Sequence, residues 1–260
     1  MTPQRKKRAL SSEDARNVRQ KGYDDALEFA LAIGLSSDYK NNPHAKKDVI
    51  DPSGDAHSVK GGVKKWQVFL YRKSRFWNDD GFAVMNGIGH LFPECINQFP
   101  DTFEEYKLKK NLAKERLRRP MRELARLLGD SKTRLRAFLN KSLFDGGEVK
   151  YLTVKHENKY HVFLNRDVIE VLSDNLEVCN SQARALGQMS EQKVLFRYNG
   201  KNLGELEMRN DSPQHYREMR FNMIKPKAME LLFKEIPLNR AFNDKVMVYG
   251  NASKVFGRWK

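Results

Sequence analysis

The chain has 260 residues, 40% of them apolar and 31% charged, and it carries a net charge of +15 with a pI of about 9.7. That length allows one large domain or two small ones with a proper core, and the excess charge favours a polyanionic partner, nucleic acid or an anionic surface. No apolar run reaches the roughly 18–20 residues of a membrane span and no signal peptide is visible, so neither a membrane-embedded nor a secreted protein is expected. In chain order, residues 1–12, MTPQRKKRALSS, read as a basic arm. Residues 13–33 read as a helix, with Leu27, Ala30, Leu31 and Gly34 on one face, Ser12 as a cap and Gly34 as a stop. Residues 36–44 are loop. Residues 46–51 and 55–60 read as strands joined by Pro52-Ser53-Gly54. Two glycines, Gly61 and Gly62, then open a new element, VKKWQVFLYRKSRFW, helical or strand-like by pattern. Residues 78–101 look irregular, and 103–143 helical and strongly basic.

Two hairpins follow, at about 149–164 and 193–209, the second with Asn199-Gly200 at its turn. Residues 215–224 are strand-like, and 225–236 form a helix with Pro226 near its start. There is no internal repeat and no low-complexity tract. Cys95 and Cys179 lack metal-ligand spacing and read as reduced thiols in a cytoplasmic protein. The expected fold class is α/β or α+β, in three segments: 1–101, 102–172 and 173–260.

The chemistry centres on the first hairpin. With a three-residue turn, Ile50 faces Ala56 and Asp48 faces Ser58. Alternation along a strand then puts Asp48, Ser58 and Lys60 on one face and Asp51, Asp55, His57 and Val59 on the other. A carboxylate and a lysine on one face suit phosphodiester hydrolysis. The carboxylate holds a divalent metal that acidifies a bound water, and the lysine offsets charge at the phosphate. The plain alternative is a surface hairpin with its charges on the wet side. His57, pointing away, reads as structural or phosphate-contacting. Gln67 and Tyr71 are spaced i, i+4, and share a face if their segment is a helix.

These residues resemble the PD-(D/E)XK nucleases. Asp48 matches the first acid of that pattern, Lys60 its lysine, and Gln67 and Tyr71 the Q-x-x-x-Y motif of some branches. Ser58 stands where the family has Glu or Asp, so the second acidic ligand must come from elsewhere. The resemblance implies a mixed central sheet flanked by helices, catalytic roles for Asp48, Ser58, Lys60, Gln67 and Glu28, and a Mg²⁺ ion held by Asp48, Val59 and Glu28. Glu28, from the first helix, is one choice for the missing acid and an ordinary exposed helix glutamate is the other reading; Glu205 and Glu207 on a later strand are further choices. Among nucleases of this kind, a basic chain of this size resembles a type II restriction endonuclease, which implies double-stranded DNA as partner and a homodimer.

Residues 107–141 carry thirteen Lys/Arg against three acids. Within them, MRELARLLGDSKTRLRAFLNK has a helix-turn-helix pattern. Leu124, Ala125 and Leu128 pack inside, Gly129 turns, and Leu135, Phe138 and Leu139 lie on the second helix. Lys132, Arg134 and Arg136 sit near that helix's start, Arg118 and Arg119 lie upstream, and the 149–164 hairpin follows where a wing would. Near the C-terminus, Arg209, Asn210, Ser212, Gln214, His215, Tyr216, Arg217 and Arg220 are side chains able to reach base edges and phosphates. The leading expectation is a Mg²⁺-dependent, site-specific DNA endonuclease. The alternative is a winged-helix DNA-binding regulator without chemistry. An RNA-binding protein is less favoured, because aromatic RNA-contact motifs are absent.

Overall fold

Phe29 and Ala30 are the buried apolar residues of helix α1 (Ser12–Ala32), Ile33 just beyond its end is buried with them, and Leu31 is 48% exposed. The stripe is rotated from the expected one because Phe29 is the larger apolar group. Its ring lies 5.0 Å from that of His57 and 5.3 Å from that of Tyr160. A computed structural model describes residues 12–36, 48–183 and 186–259. The basic arm through residue 11, the predicted loop beyond residue 36, and residues 46 and 47 of the first predicted strand lie outside the described residues.

The hairpin forms as expected. Strands β1 (Val49–Ile50) and β2 (Ala56–Lys60) are antiparallel, with Val49 opposite His57 and Ile50 opposite Ala56. Asp51 closes the turn by accepting from the Ser53 and Asp55 amides, an Asx turn. The segment after the glycines is strand β3 (Lys65–Tyr71), not a helix. Its aromatic residues make it a good strand former, and the strand Glu218–Ile224 supplies the partner edge.

Residues 78–101 are more regular than expected. Helices α2 (Lys73–Trp77), α3 (Asp80–Val84) and α4 (Leu91–Asn97) are short pieces. Asp79 caps α3 by accepting from the Phe82 amide, and Phe76, Phe82 and Phe92 pack ring against ring. Helices α5 (Phe103–Gly129) and α6 (Lys132–Phe144) start at the caps Thr102 and Ser131. They bury Leu124, Ala125, Leu128, Leu135, Phe138 and Leu139 as expected.

The remaining elements are β4 (Tyr151–His156), β5 (Lys159–Leu164), α7 (Asn165–Asn175), β6 (Glu177–Asn180), β7 (Lys193–Tyr198) and β8 (Lys201–Arg209). They continue with β9 (Glu218–Ile224), α8 (Lys225–Glu235), β10 (Leu238–Ala241) and β11 (Val246–Tyr249). Asn199 and Gly200 both take positive φ at the β7–β8 turn, as a two-residue hairpin turn requires.

The chain is mixed α+β, and its described residues form two sheets. A six-stranded mixed sheet runs β1-β2-β4-β5-β11-β10, and a five-stranded antiparallel sheet runs β3-β9-β8-β7-β6. One core fills the space between α2–α8, the five-stranded sheet and one face of the mixed sheet; a smaller core joins α1 and the C-terminal residues to the other face. The β4–β5 hairpin is therefore no wing. It pairs in parallel with β2 on one side and with β11 on the other, and Tyr151, Leu152, Val154, Tyr160, Val162 and Phe163 are buried. A wing's outer face must be wet; this hairpin is apolar on both faces. Nor do the three expected segments form separate sheets, since the mixed sheet takes strands from all of them.

Candidate active site

The register puts Asp48 opposite Ser58. The Asp48 amide donates to the His57 carbonyl at 2.9 Å, and Asp48 Oδ2 accepts from the Val59 amide at 2.7 Å. Lys60 Nζ lies 3.9 Å from the same Oδ2, with the two side chains 23% and 35% exposed. The sequence-predicted pair is thus brought together at the rim of the mixed sheet, where β1 is the edge strand. Ser58 lies between them in the strand, buried. Val59 serves through its N–H, which fixes the Asp48 carboxylate.

On the opposite face His57 is fully buried, 2.8 Å from Thr153 Oγ1 and 3.4 Å from Asp51 Oδ2, and stacked on Tyr151. Burial pushes its pKa down despite the nearby Asp51. It is a structural residue.

The two glycines have separate reasons. A Cβ on Gly61 would stand 1.7 Å from Asp25 Oδ2, and one on Gly62 3.1 Å from the Lys65 carbonyl. Asp25 is buried and accepts from Lys155 Nζ at 2.7 Å. Lys225, also buried, donates to the Gly61 carbonyl at 3.0 Å and to the Lys155 carbonyl. Desolvation pushes the Lys225 pKa down, yet its ammonium ties the residue after Lys60 to the next strand. Sequence reading missed Asp25, Lys155 and Lys225, because their partners are remote in the chain.

Glu28 belongs to this second cluster and not to the Asp48 face. It accepts from Lys155 at 2.5 Å, with Lys245 at 3.9 Å, and the Lys155 hydrogen bond holds its carboxyl below the usual range. Helix α1 packs on the His57 side of β2 through Phe29, the side away from Asp48 and Lys60.

Gln67 and Tyr71 part company as well. They lie on a strand with a bulge between Gln67 and Phe69, and one extra residue reverses the alternation. Gln67 is opposite Asn222 on the outer face of the five-stranded sheet. Tyr71 is opposite Met219 on the core face, stacked on Phe69 at 4.9 Å.

Glu205 and Glu207 share the outer face with Gln67, but all four of their oxygens are engaged. Lys65 and Lys193 take Glu205, and Lys193 and Arg220 take Glu207. Burial raises the Glu205 pKa, but the two ammonium groups more than offset it and hold it at about 2.

The fit to a divalent cation follows from these contacts. Among the described residues no group of three or more His, Cys, Asp or Glu could hold a metal ion. The Lys60 face of the hairpin offers one carboxylate, Asp48, whose Oδ1 takes no partner among the described residues. Mg²⁺ commonly keeps its waters and binds through one or two carboxylates together with substrate phosphates. The residues present suit that mode and no enclosed site.

The predicted DNA contacts are largely committed within the protein. Arg118 pairs with Glu115 and Glu191, Lys132 and Arg136 with Asp174, and Arg134 reaches the Asn86 carbonyl. Arg119 is exposed on α5 and makes no ion pair among the described residues. At the end of β8 and in the β8–β9 loop, Arg209 grips Asp211 through two bonds of 2.6 and 2.8 Å. His215 bonds Glu218, Tyr216 the Pro100 carbonyl, and Arg217 pairs with Asp101. Asn210, Ser212 and Gln214 lie in the same loop. No described helix is long and apolar enough to cross a membrane. Neither a family model, nor a curated protein, nor a solved structure matches the chain.

Proposed function

We propose that this chain is a Mg²⁺-dependent, site-specific endonuclease for double-stranded DNA, of the PD-(D/E)XK type, in which the Asp48–Lys60 face hydrolyses the phosphodiester. The observation that carries the reading is the approach of Asp48 and Lys60 on one partly exposed sheet rim, 3.9 Å apart, with the carboxylate fixed by the Val59 amide. Neither charge is needed by the core, and the net charge of +15 supplies attraction for a polyanion. Lys60 sets a positive charge where the attacked phosphate gathers negative charge. Asp48, held at one oxygen, keeps the other for the cation. Mg²⁺ bound there, with phosphate oxygens and water completing its shell, would polarise the phosphate and acidify water. Gln67 and Glu28 have no part in this face. Cutting both strands of a symmetric site suits a homodimer.

The test is cleavage of supercoiled plasmid with and without Mg²⁺, beside duplex affinity measured in chelator. Asp48→Ala and Lys60→Ala each lose about 10²-fold or more in rate, the scale of removing one group that stabilises a charged transition state, and keep their affinity. A variant that cuts at nearly the wild-type rate sinks the assignment. The single carboxylate on the Lys60 face also favours a second reading, DNA binding without chemistry; duplex binding with no cleavage in Mg²⁺ or Mn²⁺ would establish it.

A further inference from the structure

At the far end of β3, away from the Asp48 hairpin, the chain leaves the sheet through Arg72, Lys73 and Ser74. The β8–β9 loop returns beside it through Pro213, Tyr216 and Arg217. Between them is an open groove of about 480 Å³. We propose that this groove seats backbone phosphates of duplex DNA. The proposal rests on the DNA-binding part of the function above and not on cleavage.

Its lining carries three cations, Arg72, Lys73 and Arg217, against one acid, Asp101. The Arg72 side chain is 69% exposed, with Nε 3.2 Å from Glu218. Lys73 Nζ stands 3.9 Å over the Trp77 ring, a contact that leaves its donors for an anion. Ser74 adds an exposed hydroxyl. Arg217 is held in the groove by backbone at φ 57°. The loop on that side is anchored by Tyr216, whose ring packs on Phe103 and Tyr106 and whose hydroxyl bonds the Pro100 carbonyl.

Asp101 sits at the rim, its side chain 91% exposed, while that of Arg217 is 23% exposed. An ion pair with so exposed a partner is weak in water, so a phosphate exchanges for it at little cost. Base reading from this loop is disfavoured, because the best base-reading side chain, Arg209, is closed on Asp211. Cations and a hydroxyl are the groups that bind backbone phosphates, contacts that position a duplex and do not read sequence.

The experiment is titration of a random-sequence duplex in chelator, across a salt series, with the full chain. Arg72→Ala/Lys73→Ala should weaken binding about tenfold or more and flatten the log K against log salt slope by up to about two units, near 0.9 per phosphate lost. Cognate and random duplex should suffer alike. Asp101→Ala should act in the opposite sense and tighten binding several-fold, since it frees Arg217; a merely structural role predicts no such gain. Unchanged affinity and slope in the double variant overturns the groove, and so does weaker or unaltered binding by Asp101→Ala. Thermal midpoints of the variants show that they fold. A wild-type chain whose binding depends on the groove but which never cuts removes the nuclease reading and leaves the groove standing.

Discussion

Gly61 shows how a residue that looks like a spacer is fixed by a remote side chain. Its missing Cβ leaves room for the Asp25 carboxylate, which is buried and tied to Lys155. Asp25 has a short side chain and cannot swing aside without losing that ammonium. Gly61→Ala should therefore destabilise the fold by about 1–3 kcal/mol, the usual range for overpacking a close contact, measured by urea unfolding at pH 7. The reason is specific to one pair, so a double-mutant cycle exposes it. In an Asp25→Ala background, where only the Cβ contact at 3.2 Å remains, Gly61→Ala should cost clearly less. An equal cost in both backgrounds would show that backbone preference, not Asp25, demands the glycine. The Asp48–Lys60 approach was legible in the sequence, because alternation along two short strands fixes it locally. The Asp25 and Lys225 contacts were not legible, because their partners come from other elements.

At the scale of elements, the outer face of the five-stranded sheet is a lattice of ion pairs over Lys65, Lys193, Glu205, Glu207 and Arg220. Glu205 is the member with a definite pH signature. Its folded pKa, about 2, lies below the unfolded value near 4.5. Its contribution is fully present above about pH 4.5 and is lost as pH falls towards 2, on the order of 2 kcal/mol in all. Glu191, held at about 2 by Arg122 and Arg118, loses stability in the same window. Glu205→Gln should thus reduce, without abolishing, the fall in urea-unfolding free energy between pH 5 and 3. A wild-type slope in that variant would show that the lattice leaves Glu205 unaffected. The existence and type of most elements could be read from periodicity, caps and the Asn199-Gly200 turn. The β3 bulge could not, since nothing local in WQVF announces it, and with it went the Gln67–Tyr71 pairing. The short helices α2–α4 were hidden by their Gly, Pro and Asn content; packing among Phe76, Phe82 and Phe92 overrides that propensity.

For the whole molecule, the decisive misreading is the hairpin after α6. Helix, turn, helix and hairpin in that order suit a winged helix, a unit that folds alone. Here the hairpin is the centre of the mixed sheet, with β2 from the first segment on one side and β11 from the last on the other. Removing those neighbours uncovers two backbone edges and one face of Tyr151, Tyr160 and Val162, which belong to the smaller core shared with α1 and the C-terminus. A strand pair that loses both edges and half its packing has too little burial left to offset its ordering entropy. Residues 102–172 expressed alone should therefore lack a cooperative thermal transition, although α5 and α6 keep some helical signal in far-UV circular dichroism. The full chain should unfold with near-UV and far-UV signals changing together, because the two cores share the mixed sheet. A 102–172 fragment with a sharp transition and dispersed amide resonances would sink this expectation. It would mean that the helices and the hairpin are self-sufficient after all, and would restore the winged-helix regulator as a rival to the nuclease.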